Sequence, residues 1–498
     1  MKNKTGVCRA LLLVGMGLMI PCYLFTAGNT LLSPWPLYDR NRLALCLLTP
    51  LCLLLLLLLG RAAKAKVFET HERAVLLGFA AFYFVIQLVM ASALRFTPVT
   101  DLEQCVTAAR RLAQTGAFGD SERSLIYFGR YPHNMGLVYL LAGIFKAADA
   151  LGADELMAAA LVCGLLFSMG LLCAARLCRR LGGAQAQARA LLLFATCLPF
   201  LYCTSELYTD AFSVAFAPMI VFAFLKARDA GSRKERALWA LLFAVCTFLG
   251  AQIRFPTIIA AIACLIAALF EKRAKLTALL AAPLALVFAV GGSAVNAANK
   301  ANLGAANIAQ NKLPKLHYIA MGLPVQSDEG YGQYGYGGWL IFSTSFDDPQ
   351  ARDEALRQEV VDRAYTLAHH PAQLLSTLSR KNLSTFGRGT FNLNEIFEAD
   401  AHEADNAVKQ AVFENGRFNR AYTHLATAMF VAQMALACIA CIQAIRRRAA
   451  PLFLTLLGAF LFLSIWETRA RYFFQFMMIL LCAGAMFETP STHAAQKA

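Results

Sequence analysis

The sequence predicts an all-α, polytopic membrane protein with about 12–13 membrane-spanning helices and two sizeable loops on the outer side of the membrane. Composition, the length of the apolar runs and the distribution of charge carry this reading. Of 498 residues, 58% are hydrophobic and 15% charged, and mean hydropathy is +0.52. A soluble domain carries about 25% charged residues, so this chain lacks the polar surface to coat a globule of its size. The runs 43–60 and 74–94 are long enough, at about 1.5 Å per helical residue, to cross roughly 30 Å of hydrocarbon.

Thirteen segments qualify as candidate spans: 8–32, 43–60, 74–94, 133–151, 155–178, 188–205, 211–225, 237–253, 257–270, 276–295, 421–445, 452–466 and 472–487. The first has the basic start of a signal peptide (Lys2, Lys4, Arg9). No small-residue cleavage site follows before Pro21 and Cys22, so it reads as a retained span. Of the 15 cysteines nearly all fall inside apolar segments, with Cys105 in a loop. They read as small packing residues, with no disulfide framework and no zinc site.

Basic clusters orient the chain, because Lys and Arg accumulate on the cytoplasmic side. They lie at Arg61/Lys64/Lys66/Arg73, at Lys226/Arg228/Arg233/Lys234/Arg236, at Lys272/Arg273/Lys275 and at Arg446/Arg447/Arg448. Segments 95–132 and 296–420 then fall outside. The second of these holds 14 acidic residues against 12 Lys plus Arg, a net charge of −2, which leaves +17 on the rest of a chain whose total is +15. The positive charge is therefore a topology signal and implies no nucleic-acid partner. Arg176, Arg179, Arg180 and Arg189 conflict with a simple count, because two spans separate them from the first outer loop where parity requires one or three. Either 133–151 enters without crossing, as Lys146 and Asp149 inside it suggest, or these arginines break the rule.

The larger outer loop is too long for a plain connector. It contains Leu313-Pro-Lys-Leu-His-Tyr-Ile-Ala-Met-Gly322, then the turn-rich, aromatic Gly330-Tyr-Gly-Gln-Tyr-Gly-Tyr-Gly-Gly-Trp339. A helix is predicted over 350–370, with Leu356, Val360, Ala364 and Leu367 on one face and Pro371 ending it. A second is predicted over 372–383.

Several constellations could carry chemistry. Asp101 and Glu103 open the first outer loop, where a lipid-borne substrate would meet an acceptor. The same residues read as a solvated helix start, with Thr100 as N-cap and two acids in the first turn; on spacing alone this second reading is the stronger. Tyr127-Phe-Gly-Arg130-Tyr-Pro-His133-Asn134 could bind a phosphate or anchor the chain at the interface, and the two readings balance. Ionisable groups between spans are costly and usually functional. Three such sets face outward: Glu206 with Asp210, Arg254, and Glu467 with Arg469 and Arg471. Salt-bridging could explain one set; three on one side suggest a shared polar cavity.

In order and sidedness these elements resemble the polyprenyl-phosphate-sugar glycosyltransferases of the C superfold, on the branch of protein O-mannosyltransferases and aminoarabinose-lipid A transferases. The matching elements are Asp101, Arg130-Tyr-Pro-His-Asn-Met-Gly136, Glu206-Leu-Tyr-Thr-Asp210, Ile253-Arg-Phe-Pro256, 313–322, 381–391 and Arg469-Ala-Arg-Tyr472. The resemblance implies a two-helix N-terminal addition (1–73), a membrane catalytic core (74–295) with the first outer loop (95–132), a large extracytoplasmic loop (296–420) and C-terminal membrane helices (421–498). It implies a glycosyltransferase that moves a sugar from a polyprenyl-phosphate carrier to an envelope acceptor at the outer face of a bacterial cell membrane. Asp101 would be the catalytic base, and Arg130, His133, Arg254, His317 and Arg471 would hold the carrier phosphate. Glu103, Glu206, Asp210 and Arg469 complete the expected substrate-binding set, although the Asp-Leu-Glu start departs from the adjacent acids of some branches. A divalent cation serves only some branches, and no cluster here compels one. A lipid or solute transporter or flippase, and an envelope polymer polymerase or ligase, are the competing classes.

Overall fold

The computed structural model describes residues 14, 17–33, 41–63, 67–94, 97–119, 121–326, 328–393, 406–414, 416–444 and 449–487. Lys64, Lys66, Arg446, Arg447, Arg448 and the start of the first expected span lie outside the described residues. Among the described residues all regular structure is helical.

Seven helices are long and apolar enough to cross a membrane: Arg42–Ala62, Glu72–Ala93, Glu155–Ala195, Thr209–Asp229, Arg233–Ile253, Ala274–Leu303 and Asn419–Cys441. Phe255–Phe270 and Ala450–Ile465 are shorter apolar helices. Leu43, Leu47, Leu51 and Leu54 of the first expose 69%, 60%, 62% and 53% of their surface. Water would penalise such a leucine-covered face at about 25 cal/mol per Å²; hydrocarbon removes the penalty. The chain is an integral membrane protein.

Ion pairs at the helix ends sort the bundle into two faces. One collects Arg179–Glu72 at 3.0 Å, Arg180–Asp229 at 3.2 Å, Lys226–Glu235 at 3.4 Å and Arg273–Glu271 at 3.3 Å. The opposite face collects Arg254–Asp210 at 3.1 Å and the pair Arg110–Glu155. The arginines at 179 and 180 thus obey the charge rule, which settles the parity conflict. Helix Met135–Ala150 packs along the outer helix Thr100–Thr115. It starts beside Asn134 and ends just before Glu155, which pairs with Arg110 of that same outer helix. Both its ends lie at one face, so segment 133–151 does not cross the bundle, and Met135–Ala150 is not among the helices long and apolar enough to span.

A second correction concerns 155–178 and 188–205, which are two helical arms within Glu155–Ala195, joined directly at a break at Gly183 (φ 78°). Arg179 reaches Glu72 while Ser168 donates to Ala80 O, so the first arm runs antiparallel to Glu72–Ala93. Tyr83 donates to Phe194 O and Gln87 to Phe200 O, so the second arm runs parallel to it. The chain turns back at Gly183, where a positive φ suits glycine and strains other residues.

The N-terminal helices Met19–Leu32 and Arg42–Ala62 pack against Asn419–Ala444. Asn29 and Ser379 exchange hydrogen bonds, tying the first of these helices to the outer loop. That loop has its own small core of Ala320, Met321, Trp339 and Leu356. Its helices run Pro349–His369 and Pro371–Phe386. On the first, Leu356, Arg363 and Leu367 are buried while Ala364 is exposed. Arg363 replaces the expected alanine because it pairs with buried Glu329 at 2.6 Å and covers the Trp339 ring at 4.4 Å.

The two faces predict a labelling pattern in a cysteine-free background. Ser121→Cys and Ser345→Cys, exposed at the site-bearing end, should react with a membrane-impermeant maleimide on intact cells. Ser232→Cys, exposed at the basic end, should react only after permeabilisation. The reverse pattern would invert the topology.

Candidate functional site

Five stretches that join helices meet at the face opposite the basic clusters and enclose one cavity of about 630 Å³. The first outer loop contributes Thr100, Asp101, Glu103, Arg123, Tyr127, Arg130 and His133. Tyr208 comes from the 206–210 turn and Arg254 from the break after Arg233–Ile253. Glu467, Arg469, Arg471 and Tyr472 come from the break after Ala450–Ile465. The large loop supplies Tyr318 and Tyr334. Five arginines face three carboxylates on the lining, so the cavity favours anions.

Asp101 lies in the first turn of Thr100–Thr115. Its Oδ1 accepts from the Tyr127 hydroxyl at 2.8 Å and its Oδ2 from Tyr208 at 3.5 Å, with Arg471 Nη2 3.9 Å away. Asn134 in turn donates to the Tyr127 oxygen at 3.0 Å. The Asp101 side chain keeps 44% of its surface exposed, so the carboxylate is oriented yet open to a substrate. Burial, Tyr208 and Asp101 push the Tyr127 phenol well above its ordinary value, which keeps it a donor. Thr100 does not cap the helix as expected. Val99 occupies the N-cap without a side-chain bond, and Thr100 sits at φ 53°. Leu207, next to Tyr208, is at φ 49°. Such residues cost of order 1–3 kcal/mol each and collect at functional sites.

Asp210 is fully buried and braces both central arginines, with Oδ1 3.1 Å from Arg254 Nε and Oδ2 3.5 Å from Arg471 Nε. Arg254 also donates to Thr209 at 2.9 Å and lies 4.3 Å from the Tyr472 ring centroid; Arg471 lies 5.2 Å from that of Tyr208. Planar guanidinium groups held on two sides in this way present their remaining N–H donors in fixed directions. The Gly/Tyr stretch is fastened beside the cavity. Thr468 N donates to Gly332 O at 2.8 Å, Arg469 to Tyr334 O at 3.3 Å, and the Tyr131 and Tyr334 hydroxyls meet at 2.9 Å.

Of the expected residues, Asp101, Glu103, Arg130, His133, Arg254, Arg469 and Arg471 line the cavity. Asp210 stands behind the arginines. Glu206 is buried and absent from the lining. His317 is also absent from it: neighbouring helix positions point about 100° apart, and Tyr318 takes the cavity side. His317 instead meets Ser343 Oγ at 2.7 Å through Nδ1, and burial with nearby Arg352 lowers its pKa to about 4. A neutral His317 outside the cavity offers a carrier phosphate no charge. Among the described residues no three His, Cys, Asp or Glu side chains form a metal-ligand group, so no position for a divalent cation is assigned.

The hydrogen bonds by which Tyr127, Asn134 and Tyr208 orient Asp101, and the place of Tyr318 on the lining, leave no mark in the sequence, because they depend on how separate loops pack together. Lys381 is a further case. Buried in the helix Pro371–Phe386, it donates to Gly322 O and, at 2.7 Å, to Trp466 O, clamping the large loop onto the segment bearing Glu467. Burial lowers its pKa to about 7 against the opposing pull of Glu467.

A model of a family described as conserved hypothetical integral membrane protein matches residues 372–492. No curated protein and no solved structure matches the chain. The matched segment includes Lys381, Glu467, Arg469 and Arg471.

Proposed function

We propose that this protein is a membrane glycosyltransferase that takes a sugar from a polyprenyl-phosphate carrier and attaches it to an envelope acceptor at the outer face of a bacterial cell membrane. One observation carries the reading: an open, oriented carboxylate, Asp101, shares a cavity with two arginines braced by a buried carboxylate. A general base and an anion-stabilising clamp are the two groups this transfer needs.

In the proposed reaction the acceptor hydroxyl oxygen bonds to the anomeric carbon as the bond from that carbon to the phosphate oxygen breaks. The hydroxyl proton passes to Asp101, and the carrier leaves as a phosphomonoester with one more negative charge. Arg254 and Arg471 stabilise that added charge. Because Asp210 neutralises part of their charge and fixes their planes, they need little reorganisation as it develops.

Purified protein in detergent should release polyprenyl phosphate from a sugar-loaded carrier when supplied with extracts of the envelope acceptor, and deletion of the gene should remove a sugar from an envelope glycan or glycolipid by mass spectrometry. An unchanged glycan profile with no carrier turnover would overturn the proposal. Movement of intact sugar-lipid across a vesicle bilayer would replace it with the flippase class.

A further inference from the structure

Two side-chain oxygens on the cavity-lining residues are buried without a hydrogen-bond partner among the described residues: the Tyr318 hydroxyl oxygen and Glu467 Oε2. Buried polar atoms are nearly always satisfied, so an orphan calls for an occupant. Neither side chain is loosely placed. The Tyr318 ring stacks on Trp466 at 5.1 Å and 13°, and Trp466 immediately precedes Glu467. The other carboxylate oxygen of Glu467 accepts from the Tyr472 hydroxyl, while the Trp466 carbonyl is held by Lys381.

The chemistry of this pair differs from that of the arginine clamp. A carboxylate and a phenol together take hydroxyl groups: one donates to Glu467 and another accepts from Tyr318. Glu467 would repel a phosphate. The pair nevertheless adjoins the clamp, because Tyr472, which donates to Glu467, also carries Arg254 on its ring at 4.3 Å. A hydroxyl-binding corner directly beside an anion-binding one fits a ligand whose sugar is bonded to its phosphate.

We propose that Tyr318 and Glu467 form the subsite for the hydroxyls of the donor's sugar, a neutral polyhydroxylated ring. This rests on the function proposed above. The test measures the affinity of the full-length protein for bare undecaprenyl phosphate and for the same lipid carrying mannose, glucose or galactose. The parent should bind at least one loaded carrier more tightly than the bare one. Tyr318→Phe should weaken that loaded carrier about three- to tenfold and Glu467→Gln about ten- to a hundredfold, both sparing the bare lipid. Without ligand, Tyr318→Phe should melt no lower than the parent, since it removes only an unpartnered hydroxyl.

Variants that keep the parent's preference, or that weaken bare and loaded carriers alike, overturn the subsite. So does a parent that binds bare and loaded carriers equally. A parent that binds none of these lipids overturns the proposed function itself, which separates the two failures.

Discussion

Asp101→Asn is expected to insert and melt like the parent while losing roughly two to four orders of magnitude in sugar transfer, the usual contribution of a general base. The amide keeps the size of the carboxylate and an oxygen that can accept from Tyr127, now at 2.8 Å from Oδ1. It loses the capacity to take a proton. If Asp101 served only the helix dipole, the change would cost about 0.3–1 kcal/mol of local stability and leave transfer intact. Glu103→Gln is the matched control, since Glu103 shares the first turn and also lines the cavity. The readout is radiolabelled sugar leaving polyprenyl phosphate in detergent, with a melting curve of each variant. Equal transfer by the parent and both variants would remove Asp101 from the mechanism.

Asp210→Asn should fail differently. Asp210 has no exposed surface and lies within 3.5 Å of both Arg254 and Arg471. Removing its charge leaves two largely buried guanidinium groups without their shared counter-ion. Breaking a buried ion pair from one side costs about 3–5 kcal/mol, so the variant should show a clearly lowered melting temperature together with lost transfer. Arg471→Lys should be gentler: it keeps the charge but loses the planar group that spans Asp210, Asp101 and the Tyr208 ring. A variant of Asp210 with parent-like melting would show that the buried pair does not brace the clamp.

Seven of the ten residues singled out from sequence line the cavity; Asp101, Glu103, Arg130 and His133 were legible as outer-loop motifs, and Arg254, Arg469 and Arg471 for an energetic reason. An ionisable side chain between apolar runs is expensive in a bilayer, so its position along the chain already marks it as special. The same rule pointed to Glu206, and the family resemblance to His317; both are buried yet lie outside the cavity. The rule identifies buried polarity and says nothing about which buried groups meet. Met135–Ala150 shows a related limit. Its apolar length resembles a span, but Arg110 of the neighbouring helix holds the residue just after it, Glu155, at the face from which it started.

By itself the sequence determined the membrane class and the approximate bounds of the helices, and it set the expected sidedness of the loops. These follow from hydropathy, charge and helix-breaking residues, which act locally and add along the chain. Only the tertiary structure decided that Asp101 is held by tyrosines 26 and 107 residues away, that Asp210 binds two arginines from separate helix breaks, and that Tyr318 and Glu467 share a corner of the cavity. Those facts depend on the packing of distant helices and on short-range directional bonds, which fall away within an ångström or two and leave no periodic trace in the order of residues.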